Sequence, residues 1–186
     1  DWDPVEGAKG LAFSDSTPVA QVHAANQAVD LAVARCSDCG GQDSLAEISR
    51  QRERCRVHVG AHIRNAGGRE HWFALFPDDP ANDILAQLRQ TRAEQEVRNV
   101  PSAVLGFHRE LEFKRVGNRP ASVVLLTSQN PTRLLQAAAL YKPRACRLVQ
   151  GFMMWMQGQL EQEVSMELFW PHENNAPLAV ELETSR

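Results

Sequence analysis

Phe73-Ala-Leu-Phe-Pro-Asp-Asp-Pro80 and Val123-Val-Leu-Leu-Thr-Ser-Gln-Asn130 are the two stretches that decide the predicted fold. Each begins with an apolar run, continues into turn-forming residues, and precedes a helical pattern with two adjacent aliphatic residues, at 84–85 and at 134–135. The second stretch starts 50 positions after the first. This spacing indicates an internal repeat of one strand followed by one helix.

The repeat predicts a β-α-β-β-α-β order for the centre of the chain. A strand over about 103–115 and a returning strand over 122–127 are joined by a turn at 117–118, where glycine and asparagine favour a tight hairpin. Two strand–helix–strand halves joined in this way predict an α+β fold, the ferredoxin-like plait, in which helices cover one face of an antiparallel sheet. We expect extra edge strands at 57–63 and 178–182.

Further patterns precede the repeat. Thr17 and Pro18 favour the start of a helix that ends near Arg35, because threonine caps helices and proline fits their first turn. Alternating apolar and polar residues then predict a hairpin made of strands 57–63 and 69–76. Its apolar side carries valine, isoleucine and aromatic residues, which indicates that one face of the hairpin is buried.

The last third of the chain allows two interpretations. An apolar stripe over 144–162 predicts a helix, followed by a strand at 164–170. Alternatively, 145–149 is a strand, and 122–170 then forms a Rossmann-like β-α-β-α-β unit of the α/β class. We prefer the first interpretation because the helical stripe is continuous.

Composition limits the class of protein. The chain has 186 residues, of which 43% are hydrophobic, and a net charge of -3. This length allows a sizeable core, which we divide into an N-terminal helix with the cysteine segment (1–54) and an α+β core domain (55–186). The negative charge disfavours nucleic-acid binding, and no apolar run reaches the length of a membrane span, so we expect a soluble protein.

Four potential zinc ligands lie close together in the first third of the chain. Cys36-Ser-Asp-Cys39 presents two thiolates from one turn, and Cys55 and His58 supply a second pair. Tetrahedral structural zinc sites use this combination of sulfur and imidazole ligands. The spacing therefore predicts a structural zinc site, a zinc knuckle, at Cys36, Cys39, Cys55 and His58.

Two other states of the cysteines stay open. The thiols are free, with Cys55 facing the core, or they form disulfides among the four cysteines of the chain, Cys36, Cys39, Cys55 and Cys146. A strand that already begins at Cys55 would oppose the zinc site, since Cys55 and His58 would then point to opposite faces. We expect a cytoplasmic protein, or an exported one if the cysteines are disulfide-bonded.

Histidines of the predicted hairpin give a weaker metal hypothesis. His58 and His62 share the polar face of one strand, and His71 lies across from His62 or diagonal to it. A catalytic metal would use three such ligands and keep one position open. Histidines on an exposed strand face are more often simply solvated.

Asp78, Asp79, Glu112 and Lys114 have the residue types of a magnesium-dependent nuclease. Carboxylates would hold the ion, and the lysine would orient the attacking water. The same alternation is typical of the outer face of any amphipathic strand. A metal-dependent hydrolase is therefore an alternative function.

The Ser128–Thr132 segment suggests a third function, a nucleotide or anion sensor. In the Rossmann-like interpretation this segment lies at the start of a helix, where backbone N–H groups bind anions.

A non-enzymatic interaction or regulatory module is the function that the sequence favours. Phe152-Met-Met-Trp-Met156 is apolar on all sides in a helical interpretation, which indicates either core burial or contact with a partner. We expect a protein partner or a homodimer, bound through this helix or through an edge of the sheet.

Overall fold

The structure, a computed structural model, describes residues 8–10, 19–36, 42–60, 71–98, 110–117, 122–155 and 158–168. The helices in this part of the chain are α1 (Val19–Ala34), α2 (Gln42–Arg54), α3 (Ile84–Arg98), α4 (Pro131–Tyr141) and α5 (Gln159–Ser165). The strands are β1 (Ala8–Gly10), β2 (Arg56–Val59), β3 (Trp72–Pro77), β4 (Glu112–Val116), β5 (Val123–Ser128), β6 (Arg147–Gln150) and β7 (Met153–Trp155). The predicted strand at 178–182 lies outside the described residues. The predicted mixed α+β class is confirmed.

Five strands form one open sheet in the order β2-β6-β3-β5-β4. The strand β3 is antiparallel to both of its neighbours, β6 and β5, and β4 is antiparallel to β5. At the other edge, β2 runs parallel to β6. A separate two-stranded sheet pairs β1 with β7 in antiparallel orientation.

The first four helices pack against one face of this sheet. Each contributes apolar side chains to the same buried cluster as alternate residues of the strands, and representative members are Val29, Ile48, Leu85, Leu135, Val57, Trp72, Phe76, Leu126 and Leu148. Burial of each large side chain stabilises the fold by about 1.5–3 kcal/mol. The other face carries a smaller buried cluster of Leu75, Val123 and Val149. Both faces of the central strands are therefore apolar.

Helices α1, α3 and α4 were predicted, and the structure confirms them. Two aliphatic pairs, at 84–85 and at 134–135, are buried as the repeat predicted. The hairpin of β4 and β5 is also confirmed, and Gly117 after β4 has a φ of 83°, which glycine adopts without steric cost. None of the helices in the described part of the chain has both the length and the apolar character needed to cross a membrane.

The predicted hairpin between 57–63 and 69–76 is wrong. The strand β6 lies between β2 and β3, and β2 pairs only with β6 among the described strands. The predicted face was correct, because Val57 and Trp72 belong to the same buried cluster. A period of two identifies which side of a strand is buried but does not identify the strand beside it.

The predicted helix over 144–162 is also wrong. This segment contains β6, β7 and the start of α5. Successive residues Leu148 and Val149 are both buried, one on each face of the sheet, and this gives the continuous apolar run typical of an internal strand. Gly151 follows with a φ of 80°, which a helix does not allow. Consequently Met153–Trp155, which was predicted to be helical, is the strand β7, and the segment predicted as a strand at 164–170 begins in α5.

The Rossmann-like alternative is not observed, although its strand at 145–149 corresponds to β6. That alternative required β5 and β6 to be parallel neighbours. Instead β3 lies between them and is antiparallel to both.

Candidate functional site

The cysteine segment does not bring the four predicted zinc ligands together among the described residues. Cys36 is disulfide-bonded, and Cys39 lies outside the described residues. Helix α2 occupies most of the segment up to Arg54 and delivers Cys55 to the start of β2. The Cys55 side chain is 4% exposed and lies in the main core cluster.

His58 lies on the other face of the sheet from Cys55. Val57 and Val59 share the core face with Cys55, so the alternate position of His58 directs it away from that face. This arrangement, with Cys55 and His58 on opposite faces of a strand, was identified from the sequence as the one that disfavours the zinc site. A zinc site using both residues would require β2 to begin later than it does.

The three histidines of the weaker metal hypothesis are also not assembled in the described structure. His62 lies outside the described residues, and His58 is on β2 whereas His71 immediately precedes β3, with β6 between the two strands. His71 packs edge-on against the ring of Phe152, with the ring centroids 5.6 Å apart. The described residues contain no group of three or more acidic, histidine or cysteine side chains arranged to hold a metal ion.

The carboxylates of the nuclease hypothesis lie at two different ends of the sheet, and Lys114 lies in the middle of β4, paired with Leu125. Glu112 is level with Thr127 and Phe73, whereas Asp78 follows the far end of β3, which is about 15 Å away along the strands. Asp78 is instead bound by Arg115 and Ser122, each at 2.6 Å. Asp79 accepts a hydrogen bond from the backbone N–H of Ala81. The carboxylates therefore do not share one ion position.

The Ser128–Thr132 segment forms the predicted start of α4. The Asn130 side chain accepts a hydrogen bond from the backbone N–H of Thr132 at 3.0 Å and caps the helix. The Ser128 hydroxyl accepts from the N–H of Asn130 at 3.1 Å. Two of the N–H groups that an anion would need are therefore already bound by side chains.

A depression of about 300 Å³ lies beside this helix start and brings together residues from three strands. Its lining residues are His71, Glu110, Glu112, Thr127, Ser128 and Gln129. The register explains the grouping, since Trp72, next to His71, pairs with Ser128, and Glu112 pairs with Thr127. We call this surface the acidic depression.

The two carboxylates of the acidic depression differ in their surroundings. Arg133, in the first turn of α4, binds both oxygens of Glu110, with N–O distances of 2.9 and 3.2 Å. Glu112 is exposed and makes no ion pair among the described residues. The acidic depression therefore has one neutralised carboxylate and one available carboxylate, together with hydroxyl and amide groups.

Sequence reasoning found part of the acidic depression. Glu112 and Ser128 were candidates in two separate hypotheses, and His71 was a candidate in a third, but no hypothesis joined them. Gln129 and the Glu110–Arg133 pair were missed. Only the antiparallel register makes these residues neighbours, and no local spacing in the sequence reports it.

The chain matches no protein-family model, no curated protein and no solved structure.

Proposed function

We propose that this chain is a non-enzymatic interaction module that binds a lysine or arginine side chain of a protein partner in the acidic depression. The observation that carries the proposal is the exposed Glu112 carboxylate beside a polar recess of about 300 Å³. Carboxylates bind guanidinium groups through two parallel charge-assisted hydrogen bonds. The hydroxyl of the buried Ser128 and the amide of the exposed Gln129 also line the acidic depression.

The fold supports a binding role. We infer that the unit from β3 to β6 is a ferredoxin-like plait, because its strand order β6-β3-β5-β4, its antiparallel neighbours and its two helices on one face are what that plait requires. The acidic depression lies at one end of this unit. Such a fold hosts many unrelated functions, so the fold alone does not select a ligand.

The alternatives have less support from the geometry. A nucleotide or anion would meet the available Glu112 carboxylate next to the Ser128–Thr132 segment, and like charges disfavour that contact. A nuclease would need Asp78 and Glu112 to share an ion although they lie at opposite ends of the strands. Self-association through the sheet edge β4 remains a prediction, which sedimentation of the purified chain would test.

The zinc knuckle is retained as a hypothesis for the fully reduced chain. Its support is the spacing of Cys36 and Cys39, whose thiolates would both be available after reduction. Metal analysis after refolding in a reductant with zinc sulfate tests it. One tightly bound zinc ion per chain, lost in Cys36→Ser, is expected, and a protein that refolds fully without retaining zinc would contradict it.

A short arginine peptide tests the main proposal. We expect a blocked Gly-Gly-Arg-Gly-Gly peptide to shift the backbone NMR resonances of Glu112, Ser128 and Gln129, with millimolar affinity. The same peptide with citrulline in place of arginine, which keeps the shape and removes the charge, should bind at least tenfold more weakly, equivalent to about 1.4 kcal/mol. Glu112→Gln should cause a similar loss.

Glu161→Gln is the matched control. This carboxylate is exposed in the first turn of α5 and does not line the acidic depression. Its replacement should leave the peptide affinity unchanged. Equal shifts with the arginine and citrulline peptides would exclude the proposal, and shifts of Ser128–Thr132 with inorganic phosphate alone would favour the anion sensor instead.

A further inference from the structure

Cys55 and Cys146 meet at the point where two neighbouring strands begin. Arg56 starts β2 and Arg147 starts β6, and these two arginines are partners in the parallel register. The cysteines that immediately precede them are therefore level with each other. Their thiols are free in this structure and lie within hydrogen-bonding contact.

Both cysteines lie on the same side of the sheet. Cys55 is 4% exposed and Cys146 is 7% exposed, and both belong to the main core cluster. Neighbouring strands are about 4.8 Å apart. A disulfide joins Cα atoms that are about 4.4–6.8 Å apart. The two sulfurs can therefore be bonded without moving the strands.

We propose that Cys55 and Cys146 form a disulfide that joins the start of β2 to the start of β6. This bond is independent of the acidic depression and of any partner. It would connect the edge strand β2, which follows α2, to its neighbour β6. It also excludes Cys55 from the zinc knuckle, so the two hypotheses make opposite predictions for the same sulfur.

Thiol–disulfide exchange with a glutathione-class disulfide supplies the oxidant. The Cys55 thiolate attacks one sulfur of the oxidant, which breaks its S–S bond and releases one small thiolate. The Cys146 thiolate then attacks the Cys55 sulfur of the mixed disulfide and releases the second. Two protons leave the cysteines and protonate the two released thiolates, so the chain is oxidised by two electrons and the oxidant is reduced by two.

Burial sets the time at which the bond can form. A glutathione-sized reagent has little access to thiols that are less than 10% exposed in the folded chain. Burial also raises the pKa of the Cys146 thiol well above its ordinary value of 9.0, which lowers the fraction of reactive thiolate. The disulfide therefore forms while the chain folds, and forms slowly once the core has closed.

Oxidative refolding tests the proposal without any variant. The chain is unfolded with a reductant and then refolded in a mixture of oxidised and reduced glutathione without metal. Free thiols are then alkylated in denaturant, and the protein is digested under non-reducing conditions. We expect one linked pair of peptides containing Cys55 and Cys146, and only slow linkage when oxidised glutathione is added to folded, reduced protein.

Several outcomes would overturn the proposal. One is recovery of both cysteines as alkylated thiols from refolded, monomeric protein, and another is linkage of either cysteine to Cys36 or Cys39. Cys146→Ser provides the control, since it should leave Cys55 alkylated and the disulfide of Cys36 intact. If the peptide maps support the bond while the arginine peptide fails to bind, the proposed function fails and this inference stands.

Discussion

Asp78 shows how one residue connects three strands. Its side chain is completely buried, and it receives hydrogen bonds from Arg115 Nε and from the Ser122 hydroxyl, each at 2.6 Å. Its backbone N–H also donates to the carbonyl of Ser122 at 3.0 Å. These contacts join the end of β3 to β4 and β5. A buried carboxylate held in this way is a structural element of the sheet.

We predict that Asp78→Asn lowers the free energy of unfolding by about 2 kcal/mol, because a neutral amide cannot replace two charge-assisted hydrogen bonds. Asp79→Asn is the matched control. The Asp79 carboxylate is only half-buried and accepts one backbone hydrogen bond, which an amide oxygen can also accept. Urea unfolding of both variants measures the difference. Equal midpoints would show that the Asp78 charge is not needed.

The role of Asp78 could not be predicted from its neighbours in the sequence. The Pro-Asp-Asp-Pro motif correctly indicated the end of a strand, but the only role considered for its carboxylates was as candidate magnesium ligands in the alternative nuclease hypothesis. Its actual partners, Arg115 and Ser122, lie 37 and 44 positions later. Knowledge of which strands are neighbours is needed before a carboxylate can be assigned to an ion pair or to a metal.

At the level of elements, α4 was predicted most accurately. The signals for its start are local, because Asn130 caps the helix and Pro131 occupies its first turn. Its end is marked by Lys142, which has a left-handed backbone with a φ of 49°, followed by Pro143. The signals for both ends of α4 lie in the residues at those ends, so the ends can be predicted without knowing the tertiary structure.

We predict that Asn130→Ala destabilises the protein by about 1 kcal/mol, since the N–H of Thr132 loses its acceptor. Asn130→Asp should be close to wild type, because its carboxylate is also a good cap and interacts favourably with the helix dipole. Thermal unfolding of the two variants, followed by far-UV circular dichroism, gives the comparison. A similar loss of thermal stability in both variants would indicate that the cap contributes little and that another contact of Asn130 stabilises the protein.

Helix α2 and strand β6 were missed for opposite reasons. α2 is largely polar, and Ile48 and Gln51 are the buried side chains among those of α2 that the structure describes, so few apolar residues mark its buried face. In the sequence, the cysteines on either side of it suggested a metal-binding loop. β6 contains the apolar pair Leu148 and Val149 between two polar residues, and this pair merges with the following apolar run into an apparent helical stripe. The secondary structure of both segments depends on which of their side chains the tertiary structure buries. Local periodicity does not report that burial.

At the level of the whole molecule, the sequence predicted the order of elements better than their neighbours. The internal repeat predicted the order strand, helix, strand, strand, helix from β3 to α4, but the closing strand was predicted at 164–170 and is β6 instead. The position of β2 beside β6, about 90 residues later, has no local signal. The same long-range pairing brings Cys55 to Cys146, so the missed neighbour and the missed cysteine pair have one cause.

A disulfide between Cys55 and Cys146 would close a loop of about 90 residues, for which chain entropy gives about 4–5 kcal/mol of stabilisation. For a protein of this size, each kcal/mol raises Tm by about 2–4 °C. We therefore expect a reductant to lower the Tm of oxidatively refolded protein by about 10 °C more than that of Cys55→Ala/Cys146→Ala. The double variant keeps the disulfide of Cys36, so the difference isolates the second bond. Equal decreases in Tm for the two proteins would contradict the proposed disulfide.

The pH dependence of stability gives a test on the reduced chain. Burial raises the pKa of the Cys146 thiol well above 9.0, and the neighbouring Cys55 adds to the effect. Burial also raises the pKa of the Tyr141 phenol above 10.0, against a smaller lowering by its hydrogen bond to Thr91. The folded state therefore keeps both protons at a pH where the unfolded chain releases them.

Because both native pKa values are raised, their contribution to stability is complete below the unfolded values and is lost as the pH rises through the native ones. We predict that the free energy of unfolding of the reduced chain starts to fall near pH 9, by up to about 1.4 kcal/mol per pH unit for each group. Cys146→Ala should delay this loss to the range in which Tyr141 ionises, and adding Tyr141→Phe should remove most of the remainder. Urea unfolding at a series of pH values in the same reductant measures the free energy of unfolding of each protein. Equal slopes in wild type and Cys146→Ala would mean that the thiol is solvated in the folded protein, which is incompatible with its position in the core.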